Sequence, residues 1–77
     1  SPNPAAERLM MSFQSPKSQN LELKILDATG RSIVSRALDV VAGKQTVEQP
    51  IDDLSAGIYQ LQLAGNGKLL SRKLSVR

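Results

Sequence analysis

Apolar and polar residues alternate with a period of two along most of this chain, and most regularly near its end. Tyr59, Leu61 and Leu63 alternate with Gln60, Gln62 and Ala64, which gives a strand one buried and one solvated face. Asn66-Gly67 then supplies two residues suited to the positive φ angles of a type I′ turn, and Leu70 to Val76 runs back beside the first strand. A β-hairpin is therefore predicted there. Leu54-Ser55-Ala56-Gly57 before it is turn chemistry, with Gly57 expected to take a left-handed conformation. A second alternation turns Leu21, Leu23 and Ile25 inward and Glu22 and Lys24 outward, leaving Leu26 as the one apolar residue on the outer face. A third, over residues 7–13, sets Leu9, Met11 and Phe13 on one side, with Met10 the exception on the other.

The segments between these strands read as turns. Gln14 to Asn20, with Pro16, two serines and three amides, is loop composition. Asp27-Ala28-Thr29-Gly30 predicts a type I turn closed by a glycine bulge, the Asp side chain bonding the turn backbone and Gly30 taking the left-handed position. With Asp27 facing Arg31, counting outward sets Ile33 opposite Ile25 and Glu22 opposite Arg36. That register exposes Val34, Leu38 and Val40. A bulge near Ser35 or Arg36 is therefore expected, turning Leu38 and Val40 inward. Ala42-Gly43-Lys44 makes the next turn, and the strand after it offers Val47 and Ile51 to the core. Pro50 assigns that strand to an edge, or ends it, because proline cannot donate to a ladder. Six to seven short strands and no 3.6-residue apolar stripe predict an all-β fold, a small Ig-like antiparallel sandwich.

Length and composition narrow the function. Seventy-seven residues make one domain, with residues 1–6 as a linker and 7–76 as the sandwich. Cysteine and histidine are both absent, which removes disulfides, Cys/His metal sites and His-based acid–base catalysis. The net charge of +3 raises the question of nucleic acid. The bases are scattered along the chain, however, and the two aromatics, Phe13 and Tyr59, fall on core rows and offer bases no stacking platform. A solvated, mildly basic surface is expected, with no nucleic-acid partner.

Asp52-Asp53 is the only adjacent carboxylate pair, and neighbours in a turn point apart, so turn capping is expected in place of calcium binding or acid–base work. Asn66-Gly67 is a hairpin tip and not a phosphate loop, since no helix follows. Arg72 falls on the inward row opposite Leu61, where its stem packs and its head reaches water. Lys73 shares the polar row with Ser71 and Ser75 and guards an edge. No catalytic residue, cofactor or metal ligand is predicted, and the chain is not expected to be an enzyme. It contains no apolar run of the ~20 residues a membrane helix needs and no signal-peptide pattern. Opening at Ser1 with the prolines of Pro2-Asn3-Pro4, it is expected to be a piece of a longer protein whose linker meets a domain here.

Four features in order carry a resemblance. They are Pro2-Asn3-Pro4, Asp27-x-x-Gly30, Leu54-x-x-Gly57-x-Tyr59 with its alternating leucines, and the closing Lys73-Leu74-Ser75-Val76-Arg77. In this order and over this length the chain resembles the type A C-terminal sorting domains of type IX secretion cargo. The resemblance implies a seven-stranded Ig-like sandwich closing a cargo protein that passes through the periplasm and crosses the outer membrane of a Gram-negative bacterium. It implies as partners the outer-membrane translocon, a sortase-like peptidase that removes the domain and attaches the cargo to the cell surface, and the covalently attached N-terminal cargo. Some cargo of this kind is released into the medium instead.

Carried over by position, Pro2, Asn3 and Pro4 match the opening motif, Gly57 and Tyr59 the Gly-x-Tyr element, and Lys73, Leu74, Val76 and Arg77 the terminal strand that concentrates the signal. Asp27 and Gly30 match the turn, although Leu26 stands where the family often has tyrosine and Ser75 interrupts the valine-rich end. An exposed edge strand also offers a route to a homodimer. The alternative function is an accessory Ig-like module that binds carbohydrate or a protein partner for an attached secreted enzyme. The shortage of exposed aromatics weighs against its sugar-binding form.

Overall fold

The computed structural model describes residues 8–77, and they form six antiparallel strands in two sheets, with no helix. In chain order these are β1 (Arg8–Ser15), β2 (Gln19–Leu26), β3 (Ser32–Val40), β4 (Gly43–Pro50), β5 (Gly57–Gly65) and β6 (Lys68–Val76). One sheet has four strands in the order β3-β2-β5-β6, and the other pairs β1 with β4. The connections β1–β2, β3–β4 and β4–β5 all pass from one sheet to the other, so the sheets close over a shared core.

Side-chain alternation sets what that core contains. Leu23 and Ile25, on the central strand β2, are wholly buried and are surrounded by Leu38, Val40, Ile51, Leu61 and Val76. Leu9, Met11 and Phe13 of β1 pack against this cluster from the opposite sheet and stay partly exposed, because two strands cannot cover four. The inward rows expected for β1, β2 and β5 are the observed ones. β1 runs two residues past Phe13, and the loop after it shrinks to residues 16–18. Ser15 continues the inward row, its hydroxyl donating to the Lys17 carbonyl at 2.6 Å and accepting from Gln19 Nε2 at 2.9 Å.

The β2–β3 pairing departs from the simple count. The turn forms as predicted, with the Gly30 amide donating to the Asp27 carbonyl at 2.9 Å, the Asp27 amide donating to the Arg31 carbonyl at 2.9 Å, and Gly30 at φ +90°. The register then slips between Ile25 and Leu26, so that Ile33 is the extra residue and Ile25 faces Val34. The bulge thus lies two to three positions earlier than Ser35 or Arg36, directly at the mouth of the turn. Its early position turns Val34 inward together with Leu38 and Val40, at the cost of exposing only Ile33.

Two pairings change with it. Glu22 faces Ala37, not Arg36, and its carboxylate accepts the Ser35 hydroxyl at 3.1 Å. Arg36 moves opposite Leu23 and reaches across to the other sheet, where one nitrogen donates to the Glu48 carbonyl and to Gln49 Oε1, each at 2.9 Å. That bond explains a buried glutamine. Gln49 shares the inward row of β4 with Val47 and Ile51, and its Nε2 donates to the Pro50 carbonyl at 3.1 Å, so both ends of the amide are satisfied. Pro50 closes β4, whose only partner among the described residues is β1, in agreement with the edge assignment.

Candidate recognition surface

The predicted hairpin is the last pair of strands, and its turn shows why the sequence folds there. Asn66 and Gly67 take φ values of +52° and +73°, the left-handed pair a two-residue I′ loop requires, flanked by the facing residues Gly65 and Lys68. The Asn66 side-chain amide donates to Gln19 Oε1, which ties the tip to β2. The register then runs without a slip from Gly65–Lys68 to Gly57–Val76.

That register joins two sequence features lying far apart along the chain. Gly57 faces Val76 and Tyr59 faces Leu74, so the Gly-x-Tyr element and the closing strand are one structural unit. Gly57 has φ +158°, a positive value that side chains rarely adopt, as expected of a glycine at this turn, although it lies toward the extended end of that range. The Tyr59 hydroxyl donates to the Ser55 carbonyl at 2.6 Å and so fastens the turn that delivers the chain into β5. Tyr59→Phe is expected to lower the melting temperature by about 5 °C, the loss of one hydrogen bond of roughly 1 kcal/mol in a domain this small. A thermal melt that moves less than 1 °C would remove this role from the hydroxyl.

Asp27 stands at the other side of the same region. Its Oδ1 accepts from the Thr29 hydroxyl at 2.6 Å, the Thr29 amide at 2.9 Å and the Arg31 amide at 3.1 Å, and the Arg31 guanidinium lies 3.6 Å from Oδ2. The Thr29 hydroxyl first, and the Arg31 amide next, hold the carboxyl below its ordinary value of 3.8. A depressed carboxyl stabilises the fold above its unfolded-state value, and that contribution is lost as pH falls through the lower folded-state value. The stability gap between the wild type and Asp27→Asn is therefore expected to be widest above pH ~5 and to narrow below pH ~3.8, as read from melts across a pH series.

The fold gathers three of the singled-out residues around one shallow depression of about 280 Å³, lined by Asp27, Ala28, Ile58, Tyr59, Gln60, Ser71, Arg72 and Lys73. Lys73 faces Gln60 on the outer row, and Arg72 faces Leu61 on the inner row with its head in solvent, as predicted. Gly30 belongs to the Asp27 turn but does not line the depression, and Arg77 follows β6 in the open. Pro2, Asn3 and Pro4 lie outside the described residues. Asp52 and Asp53 occupy an exposed turn closed by the Leu54 amide donating to the Ile51 carbonyl at 3.0 Å. Among the described residues no group of three or more acidic, Cys or His side chains is placed to hold a metal.

Comparison of the sequence with known families says what kind of domain carries this surface. The profile described as "Secretion system C-terminal sorting domain" matches residues 2–77, essentially the whole chain. The chain belongs to that family of sorting domains. It is a type IX secretion C-terminal sorting domain, a class whose members are attached to cargo, engage the type IX machinery and direct secretion to the outer-membrane surface or beyond it. Comparison with curated proteins gives no match, and neither does comparison with solved structures.

The sequence reading of this sorting domain overlooked the exposure of Leu69 and Leu70 at the hairpin's outer edge. Leu69 and Leu70 are 60% and 59% exposed, the highest values among its large apolar residues. Alternation alone could not find Leu70, because it places that residue on a buried row that the two-stranded sheet fails to cover.

Proposed function

We propose that the domain is a non-catalytic signal read in its folded state, and that the outer-membrane machinery reads it through the β5–β6 hairpin. One observation carries this reading: Gly57, Tyr59, Leu74 and Val76 meet as facing pairs in a hairpin at the edge of the larger sheet. An edge strand offers unpaired backbone groups that a partner can capture. Lys73 and Arg77 supply charge and direction to that contact, and the Asp27 turn borders it. In this reading the attached cargo passes through the periplasm with the domain folded. A sortase-like peptidase then cleaves upstream of the domain and attaches the cargo to the cell surface.

The charge contribution is tested by a reporter fused to the domain in a bacterium with type IX machinery. Replacing Lys73 and Arg77 by Ala is expected to cut export at least fivefold while the domain stays folded, since both side chains are exposed and neither makes an ion pair among the described residues. Undiminished export would remove charge from the account.

A further inference from the structure

We propose that the free edge of β6 takes an extended acidic segment as an added antiparallel strand, with a carboxylate facing Arg72, a second facing Lys73 and an apolar residue seated beside Leu70. This rests on the sorting reading above and names the chemistry of the partner.

The backbone sets the geometry. A two-residue loop makes Gly65 and Lys68 a hydrogen-bonded pair, and such pairs alternate along an antiparallel ladder. The amides and carbonyls of Leu70, Arg72, Leu74 and Val76 therefore point to β5, and those of Leu69, Ser71, Lys73 and Ser75 point away from it. Among the described residues β6 is the outer strand of its sheet, its register is unbroken, and it contains no proline. The other free edges are less open. β3 is bulged at Ile33 and β4 ends in Pro50, while the single charge of β1, Arg8, is bound to Glu48 at 2.8 Å.

Charge distinguishes this edge further. Residues 54–77 carry Lys68, Arg72, Lys73 and Arg77 and no Asp or Glu, whereas residues 1–53 carry six bases and seven acids. The bases Arg8, Lys24 and Arg31 sit within 4 Å of carboxylates, and among the described residues none of the four bases of the hairpin does. Arg72 and Lys73 project to opposite faces of the same edge. A second copy pairing antiparallel about Arg72 would set guanidinium against guanidinium, and like charges directly opposite destabilise a ladder. Carboxylates on both faces of an incoming strand would instead meet cations on both faces.

The apolar position follows from the same register. Leu70 lies two residues from Arg72 on the inner row, at the margin of an open groove of about 690 Å³ that Phe13, Leu21 and Leu63 also line. An antiparallel strand meeting Lys73, Arg72, Ser71 and Leu70 in turn reads acid, acid, any residue, apolar.

The test titrates the full 77-residue chain into a fluorescent Thr/Val-rich peptide containing Glu-Glu-Thr-Val, and into the same peptide with Lys for each Glu. The acidic peptide is expected to bind at least tenfold more tightly. Ser71→Pro should abolish that binding while melting close to Ser71→Ala, because the Ser71 amide points to the free edge and the ladder does not use it. Equal affinity for the two peptides, binding to neither, or undiminished binding by a folded Ser71→Pro protein would each overturn the proposal. So would a homodimer in sedimentation that Ser71→Pro dissociates. The sorting reading is judged separately by export of the wild-type reporter fusion. Export with no peptide selectivity defeats the acidic-strand inference alone, and no export defeats the sorting reading.

Discussion

Leu23→Ala is expected to lower the melting temperature of this domain by about 20 °C, the largest change any single truncation should produce. Leu23 is wholly buried on β2, one of the two strands of the larger sheet with a neighbour on each side, and belongs to the buried core cluster. Removing a buried leucine side chain costs its transfer free energy and leaves a cavity, together about 3 kcal/mol. A chain of this length has a total stability of roughly 4 to 12 kcal/mol, so the loss is a large fraction of the whole. Each kcal/mol moves the midpoint by about 4 to 8 °C in a domain this small. Leu70→Ala provides the contrast, with an expected shift of only a few degrees for the same chemical change at a 59% exposed site. Thermal melts followed by circular dichroism compare the two directly. Similar shifts for both variants would mean that the core does not lie where the structure puts it.

Gly65→Ala is expected to destabilise by about 2 kcal/mol, although alanine is the smallest possible addition. Gly65 sits on the inner row at the end of β5, and a β-carbon there would run into the Leu21 side chain and stand 3.1 Å from the Asn20 carbonyl oxygen. The leucine can rotate away, but the carbonyl belongs to the neighbouring strand and moves only if β2 and β5 part. The melting temperature should fall by about 10 °C. Pairing the change with Leu21→Val is expected to recover part of the loss by relieving the side-chain clash and leaving the backbone one. A neutral Gly65→Ala, or a double variant no better than the sum of its parts, would contradict the close approach.

These two residues also mark the limit of what alternation can reveal. Leu23 was legible because a strand's period of two states its face without reference to any other strand. Gly65 was not, since its constraint comes from Asn20 and Leu21 of β2, far away in sequence. Ile33 shows the same limit. The sequence demanded a bulge to bury Leu38 and Val40, yet only the packed structure favours one at the mouth of the turn, where Val34 is buried as well. Gln49 lies between Val47 and Ile51 in plain alternation, but its burial depends on Arg36 reaching over from the other sheet.

The recognition surface divides in the same way. Asp27-x-x-Gly30 and Asn66-Gly67 are local turn signals, and both turns form as read. The pairing of Gly57 with Val76 and of Tyr59 with Leu74 also follows from counting outward from the hairpin tip. Two aspects of the edge escaped the reading. The scattered bases drew attention away from the missing acids after Asp53, and the regular row at Leu70 gave no hint that the smaller sheet stops short of covering it.

The central claim is that this folded domain, with its terminal hairpin intact, is sufficient to direct an attached protein out of the cell. Cell fractionation tests it with a periplasm-targeted fluorescent reporter carrying either the whole domain or a version lacking Lys73 to Arg77, in a bacterium possessing type IX machinery. The account predicts reporter at the surface or in the medium with the intact domain alone. An intact, folded domain that leaves its reporter in the periplasm would contradict it.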